Sequence, residues 1–520
     1  MSSAGVDGLL FAHDALSTDV DVCRAHARDV SGLELVPNGV ARPRSVAEVA
    51  DVLAAAHASR TFVTPAGLQS STTGASITDQ GVLLSLAALD RVLDIDVVRR
   101  TIRVEAGARV ADVRRAAEHA GLLFTPDPTS EEESTIGGAI ACNASGARSF
   151  RYGATRAHVK ALTVLLANGN RLDVRRPALE KNTVGFPMAH DPVDWFVGSE
   201  GTLGVVVEAE LGLLPLPEHV IGLAVPFASE HDALAFVVAA REAAYGAGQA
   251  SDVPTRVTAV APRCLEYFDG RAVELVRAHD TQVPWSPDVA AIVYTEDAGD
   301  HAHDTDTALD AWLALAELHQ AMTGDIRVYD GEAALADARR LRHAVPSTMN
   351  ERGARYRSEG GRKVSTDWAV PYRSLASALE MAHALADAAG IERSVTYGHA
   401  GNGHPHQNFI ARDADELVRL ERVLYATLTR VVQMGGTVAA EHGIGKLKRK
   451  WLPLQMSQVQ QDVMRSLKHT LVDVESTMEE YLEQRDWRVN ANANQGYSLG
   501  GLILNVSGKV VANYWLSHVY

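Results

Sequence analysis

At 520 residues the chain is long enough for two or three domains with filled cores. Its 46% hydrophobic and 22% charged content is that of a soluble globular protein, and a net charge of −16 argues against a general binder of nucleic-acid backbones. Cys23, Cys142 and Cys264 lie far apart without a Cys-x-x-Cys, which excludes an Fe–S cluster or cysteine zinc site within this chain and points to a reducing compartment. The first residues lack the basic region of a secretory leader, and no apolar run is long enough to span a bilayer. The expected location is cytoplasmic, or peripheral at a membrane surface.

Residues 17–30 read as an opening helix. Ser45-Val-Ala-Glu48 is a capping box, whose N-cap contributes about 1 kcal/mol. Val46, Val49, Leu53 and Ala56 recur at helical spacing, which predicts an amphipathic helix over 45–58. Strands are expected at Phe62–Pro65, Gly81–Leu86 and Thr101–Glu105, with a helix over Val110–His119. Such alternation with short connections is an α/β or α+β pattern. Between the first two strands, Pro65–Ala75 holds small hydroxylated residues and glycines able to present N–H groups to a phosphate, although by itself it reads as a polar turn. It is not a Rossmann fingerprint, because no Gly-x-Gly-x-x-Gly opens a helix after a strand. Nor is Gly445-Lys446 a P-loop, since Ala440 stands where the first glycine belongs and Leu447 replaces Ser or Thr.

Pro126–Ser130 and Thr135–Gly146 form a second small-residue region, through which backbone can approach a flat ligand closely. Gly198–Gly204 leads into a strand over Val205–Leu211. Farther on, Ala-rich amphipathic helices near 231–245, 304–322 and 374–389 alternate with strand-like runs such as Ala291–Thr295. That pattern is consistent with an antiparallel sheet carrying helices on one face. Pro346–Arg362 reads as a mobile lid, and Lys448, Arg449 and Lys450 as a solvated basic helix face.

The densest chemistry is in Thr396–Asn408, where His399, His404 and His406 interleave with Gly398, Gly401, Gly403 and Pro405. His399 and His406, seven positions apart, would face opposite sides of one strand, so convergence needs a break. Gly401-Asn402-Gly403 and Pro405 supply it. After a helix-like segment come Glu441 and His442. Two imidazoles and one carboxylate, with a fourth position open, form the ligand set of a catalytic divalent metal, and His442 remains beside it as a base. A single histidine next to a glycine is usually a turn residue; the crowding of ligand types favours the metal reading.

Pro65–Gly74, Pro126–Gly146, Tyr152-Gly153 and Gly198–Gly204 resemble the FAD-binding half of the vanillyl-alcohol oxidase / p-cresol methylhydroxylase flavoprotein family. The His399–His406 and Glu441-His442 motifs resemble its branch of D-lactate, glycolate and D-2-hydroxyglutarate dehydrogenases, and the likeness spans residues 35 to 470. The resemblance implies an α+β fold. A two-subdomain FAD-binding domain would occupy 1–220 and a cap domain with an antiparallel sheet 221–440, followed by a return segment over 441–471 bearing the metal and base motif.

The implied cofactor is noncovalent FAD, because the first loop has no histidine. Gly67, Gln69, Ser70, Ser71, Thr73 and Gly74 would hold its pyrophosphate, although Ala66, Leu68 and Gln69 depart from the usual glycines. Pro126, Asp127, Ser130, Thr135, Gly137, Gly138, Ser145 and Gly146 would line the isoalloxazine and phosphates, and Glu200, Gly201, Gly204 and Val206 the adenine side. His399, His406 and Glu441 would ligate a divalent metal, with zinc expected; His442 would be the base, Asn408 a substrate contact and Arg342 the partner of the substrate carboxylate. The usual motif is His-x-Gly-Asp-Gly-Asn-x-His; here Asn402 and His404 replace Asp and Asn, leaving His404 without a role. The lysine of the hydroxyglutarate branch is not at its place before Asp367, and Lys363 lies two residues early.

The implied reaction is FAD-dependent oxidation of a D-2-hydroxy acid, D-lactate-like, to the 2-oxo acid, with hydride passing to flavin N5 and metal-assisted loss of the hydroxyl proton. Glycolate and D-2-hydroxyglutarate are alternative substrates, and a noncatalytic flavin-binding subunit of an electron-transfer complex is the alternative from another class. A quinone, an electron-transfer flavoprotein or an Fe–S subunit would accept the electrons; nucleic acid is not an expected partner. From about Val472 to Tyr520 the tail resembles an N-terminal stretch of anaerobic ribonucleoside-triphosphate reductase without its glycyl-radical or cysteine motifs. It implies no reductase activity and reads as a fusion or sequence junction.

Overall fold

The computed structural model describes residues 11–246, 260–279, 285–299 and 305–472, and two short paired strands, Ile503–Leu504 and Val510–Val511. The rest of the 472–520 tail lies outside the described residues.

The capping-box helix forms as Val46–Ala58. Ser45 Oγ accepts from Glu48 N at 3.2 Å, while the Glu48 carboxylate reaches back one residue farther than expected, to Arg44 N at 2.8 Å. Val49, Val52, Leu53 and Ala56 form its buried face, packed on a four-stranded sheet ordered Leu16–Ser17, Gly39–Ala41, Val82–Ser85, Val63–Ala66. The last three strands run parallel. The opening helix is shorter than expected, Val20–Ala25: at its C-cap the His26 ring meets Val22 O at 2.9 Å, and farther on Asp29 Oδ1 takes Ser31 N–H in a local turn.

A five-stranded antiparallel sheet follows, ordered Val92–Asp96, Thr101–Glu105, Val205–Gly212, Val159–Leu165, Arg171–Arg175. Its strand Val205–Gly212 belongs to two cores. Val205 and Val207 pack toward the first sheet, whereas Val206 and Ala209 pack with the helices Val110–His119 and Ile136–Cys142. The small-residue loops are thereby pinned along the seam between the two sheets.

The cap is a seven-stranded antiparallel sheet, ordered Arg327–Asp330, His219–Phe227, Ala291–Gly299, Pro262–Phe268, Val395–His399, His404–Asp413, Gly360–Ser365. Helices cover both of its faces, which corrects the expectation of one. Leu223, Val225, Leu265, Tyr267 and Val293 pack with the helices Glu230–Tyr245, Thr305–Leu318 and Leu375–Ala388. The alternate residues Ala224, Cys264, Phe268, Ile292 and Tyr294 pack with Gly270–His279 and Glu332–Ala354. Strands buried on both sides lose the polar alternation of a half-exposed sheet. The segment expected as a lid is the end of the helix Glu332–Ala354, a 3-10 turn over Arg357–Glu359 and the strand Gly360–Ser365.

One buried ion cluster joins the two halves. Arg148 of the N-terminal half lies 3.6 Å from Asp127 and 3.5 Å from Glu296 of the seven-stranded sheet, and Glu296 also meets Arg263 at 3.5 Å and Arg339 at 3.0 Å. Burial opposes ionisation of Glu296, but the three guanidinium groups outweigh it and hold its carboxyl far below the usual carboxylate range.

Candidate active site

The strands Val395–His399 and His404–Asp413 form a hairpin in which His399 stands opposite His404 and Tyr397 opposite His406. A 3-10 turn over Ala400–Asn402 joins them and closes at Gly403, whose φ is +68° and whose added Cβ would lie 2.0 Å from Val370 O. Only glycine fits there. The Gly-Asn-Gly break therefore folds the chain back and brings the three imidazoles together.

Glu441 Oε2 is the point of convergence: 3.2 Å from His399 Nε2, 3.6 Å from His406 Nε2 and 3.9 Å from His404 Nδ1. Two further buried carboxylates hold the opposite ring nitrogens, Glu266 Oε1 at 2.7 Å from His399 Nδ1 and Asp367 Oδ1 at 3.1 Å from His404 Nε2. Burial disfavours charge on His399, but Glu266 and Glu441 outweigh it and raise its pKa to about 10. Burial likewise opposes ionisation of Glu441, but the His399 bond and the nearby imidazoles bring it down to about 2. His406 is driven well below the ordinary histidine value by burial and by the neighbouring His404 and His399 imidazoles. These residues offer nitrogen and oxygen donors within 4.8 Å of one another, a set that suits a divalent ion.

His442 stacks on His406 with ring centroids 5.4 Å apart, and its side chain remains 30% exposed. Burial lowers its pKa, only partly offset by Asp367 and Glu441, so it is a neutral imidazole able to accept a proton. Asp367 organises this corner. Its Oδ2 accepts from His442 N at 3.1 Å and from Lys448 Nζ, and its Oδ1 accepts from Glu441 N at 3.2 Å and lies 3.5 Å from His442 Nδ1. Burial works against its ionisation, but His442, Lys448 and His404 hold it well below the usual carboxylate range. Lys448 is thus a buried counterion, not part of a solvated basic face.

The N-terminal half grips the same turn from its other side. Glu200 Oε1 accepts from Ile444 N at 2.6 Å and Oε2 from Gly445 N at 2.8 Å, and Thr73 O accepts from Lys446 N at 2.9 Å. Glu200 therefore positions the turn that follows His442, in addition to bordering the cavity.

Both halves open onto one cavity of about 1030 Å³. Among the residues expected at FAD, Gly67, Gln69, Ser70, Ser71, Thr73, Ser130, Thr135, Gly137, Gly138, Glu200, Gly201, Gly204 and Val206 line it, and so do His406, Glu441 and His442. Gly74, Pro126, Asp127, Ser145 and Gly146 are not among the residues that line it. Asp127 Oδ1, for example, takes Arg148 N–H at 3.0 Å and so buttresses the loop. Gln69 sits at φ 58°, and its side chain turns to His26 O at 2.9 Å, leaving backbone toward the cavity. A position so strained for a side chain is where glycine is usual.

The wall suits a flavin dinucleotide on two observations. Ser134 Oγ borders the cavity, buried and without a hydrogen-bond partner among the described residues. A Cβ on Gly138 would meet only Thr135 Oγ1, at 3.3 Å, leaving the cavity side clear for a flat ring.

Asn408 is placed one hydrogen bond behind the lining: its Oδ1 accepts from Ser365 Oγ at 3.1 Å, and Ser365 borders the cavity. Asn408 itself borders a separate, arginine-rimmed hollow. Arg342 lies on the helix Glu332–Ala354 one turn before cavity-lining Pro346, and its side chain lies outside the described residues. Lys363, though two residues early in sequence, does reach the cavity; Nζ donates to Asn350 Oδ1 at 2.8 Å, and burial lowers its pKa to about 8. Glu266 was not singled out from the sequence, and neither Asp367 nor Lys448 was given a role there. Glu266 comes from the distant strand Pro262–Phe268 and Asp367 from the segment after Gly360–Ser365, whereas Lys448 stands on the short helix Gly445–Lys448 just past His442.

Residues 37–175 match the FAD binding domain family, and residues 216–471 match the C-terminal domain of FAD linked oxidases. A D-2-hydroxyglutarate dehydrogenase of Xanthomonas citri pv. viticola is 34% identical over 443 residues, covering 84% of this chain and 87% of that protein. The glycolate oxidase subunit GlcD of Bacillus subtilis is 30% identical over 446 residues, with 83% and 86% covered. A D-lactate dehydrogenase of Archaeoglobus fulgidus is 31% identical over 399 residues, with 76% and 80% covered. Among solved structures, an alkyldihydroxyacetonephosphate synthase superposes with a TM-score of 0.66 at 17% identity, over 89% of this chain and 81% of that one, a likeness of fold. Among the described residues no helix is long and apolar enough to cross a membrane. With an FAD-binding domain, an FAD-linked-oxidase C-terminal domain and this α+β fold, the chain belongs to the FAD-linked oxidoreductases of the vanillyl-alcohol oxidase / p-cresol methylhydroxylase type.

Proposed function

We propose that the protein oxidises a D-2-hydroxy acid, D-lactate-like, to the 2-oxo acid and passes the electrons to a separate acceptor. One observation supports this above the others: His406, Glu441 and His442 border the same cavity as the glycine-rich wall that suits FAD. When bound, FAD supplies a hydride acceptor and a divalent ion at His399, His406 and Glu441 supplies a Lewis acid for the substrate hydroxyl. His442 accepts the hydroxyl proton at the nitrogen left free by Asp367, which with Glu200 holds it in place. Arg342 pairs with the substrate carboxylate and orients C2. A D-2-hydroxyglutarate-like dicarboxylate is a second reading, favoured by Lys363 on the cavity wall. The proposed domain limits are 1–220, 221–440, 441–471 and an atypical tail over 472–520, with Glu441 and His442 in the third segment and His399 and His406 in the second.

The experiment is single-turnover reduction of the bound flavin by D-lactate in wild type and His442→Ala. A positioned base contributes about 10²–10⁴-fold, so the variant should reduce its flavin that much more slowly at unchanged FAD content. Unimpaired reduction would remove His442 from the role.

A further inference from the structure

We propose that His404 is a fourth protein ligand of the divalent ion, so that the centre is three imidazoles and one carboxylate instead of two and one. The inference rests on the metal reading above and concerns the residue left without a role in the sequence. His404 is 4% exposed, and its Nε2 is committed to Asp367 Oδ1 at 3.1 Å. That leaves Nδ1, which makes no hydrogen bond among the described residues and faces Glu441 Oε2 at 3.9 Å. His399 has the same arrangement with its nitrogens exchanged: Nδ1 is tied to Glu266 at 2.7 Å and Nε2 is turned to Glu441 Oε2 at 3.2 Å. A carboxylate behind a histidine fixes the ring and directs its other nitrogen at a metal. Glu266 and Asp367 do this for His399 and His404 alike.

The spacing agrees. Donor atoms about 2.0–2.2 Å from one ion stand roughly 3–3.5 Å apart across it. The three nitrogens lie 3.2, 3.6 and 3.9 Å from Glu441 Oε2, a spread that small ring rotations around an ion would close. A buried His–Asp pair with no metal role would explain the bond to Asp367. It gives no reason for Nδ1 to join the other donors around Glu441, where His404 and His406 ring centroids are 4.5 Å apart.

The fourth ligand changes the chemistry. Four protein donors would complete a tetrahedral set, and a 2-hydroxy acid adding its hydroxyl and one carboxylate oxygen, the other left to Arg342, would bring the total to six. Octahedral geometry suits Mn²⁺, Fe²⁺ or Co²⁺ better than zinc, the ion expected from the sequence.

The test uses the FAD-loaded full chain, freed of metal by chelation and titrated with Co²⁺. X-ray absorption fine structure of the cobalt site should count three imidazoles in wild type and two in His404→Asn. Cobalt affinity should fall roughly 100-fold or more in the variant, beyond the usual loss from an outer-shell change. Two imidazoles in wild type would overturn the proposal even if the variant failed to fold. Absence of cobalt binding in wild type would overturn it together with the metal reading, whereas two imidazoles with tight binding would overturn His404 alone.

Discussion

Replacing Asp367 by Asn gives the sharpest forecast of how the site is held. One carboxylate accepts from Glu441 N, His442 N, His404 Nε2 and Lys448 Nζ, and Lys448 is buried beside it. An amide presents one oxygen and one NH₂, so in either orientation the NH₂ meets donors, and Lys448 loses its counterion. Removing one partner of a buried pair costs about 3–5 kcal/mol. Lys448→Met alone should cost about 1–3 kcal/mol, because Asp367 keeps its other donors. The double variant no longer buries an unpaired cation and should be less destabilised than the sum by about 2 kcal/mol. Urea unfolding of the metal-free, FAD-saturated protein measures this through tryptophan fluorescence, to which buried Trp368 next to Asp367 contributes. Additivity within about 0.5 kcal/mol would refute a buried Asp367–Lys448 pair as the organiser of the turn at His442.

In Gly67→Ala the new Cβ would lie 2.3 Å from Thr135 Oγ1, the N-cap of the helix Ile136–Cys142. Losing that cap costs about 1 kcal/mol, so FAD should bind at least fivefold more weakly by flavin-fluorescence titration, with far-UV circular dichroism unchanged. Glu200→Gln removes one of two charge-assisted bonds to Ile444 and Gly445, worth about 1.5–3 kcal/mol; flavin reduction in stopped flow should slow about tenfold with FAD content retained. Lys363, lowered by burial to about 8, is the cationic form only below that pH. KM for D-2-hydroxyglutarate should therefore rise as pH climbs through 8, KM for D-lactate should not, and Lys363→Met should erase the difference. The sign for stability is opposite: above about 8 the unfolded chain binds more protons than the folded one, so Lys363 makes the fold more stable toward the ordinary lysine value.

What was readable in the sequence was local. The capping box at Ser45, the helix over 110–119 and the two glycine-rich regions announce themselves within a few residues, because caps, turns and close approach depend on neighbours. The convergence of the three imidazoles was readable for the same reason, since His399, His404 and His406 and the glycines that fold them together are adjacent. The support was not. Glu266 reaches His399 from a strand 133 positions away, and Glu200 reaches Ile444 across 244. Nothing near either residue marks its partner. Lys448 misled because a run of basic residues usually means a wet surface, and only the fold shows Asp367 waiting for it. The second covered face of the cap sheet did leave a signal, the unbroken apolar run Ile221–Phe227, which a half-exposed strand would have interrupted with polar residues.

The most direct test of the central claim is the visible spectrum of the purified full chain, anaerobic and metal-replete, before and after D-lactate and L-lactate. Flavin bands that bleach with D-lactate and persist with L-lactate are the predicted result, giving cofactor, reaction and stereochemistry in one cuvette. Flavin bands that persist with D-lactate, glycolate and D-2-hydroxyglutarate alike would contradict the account.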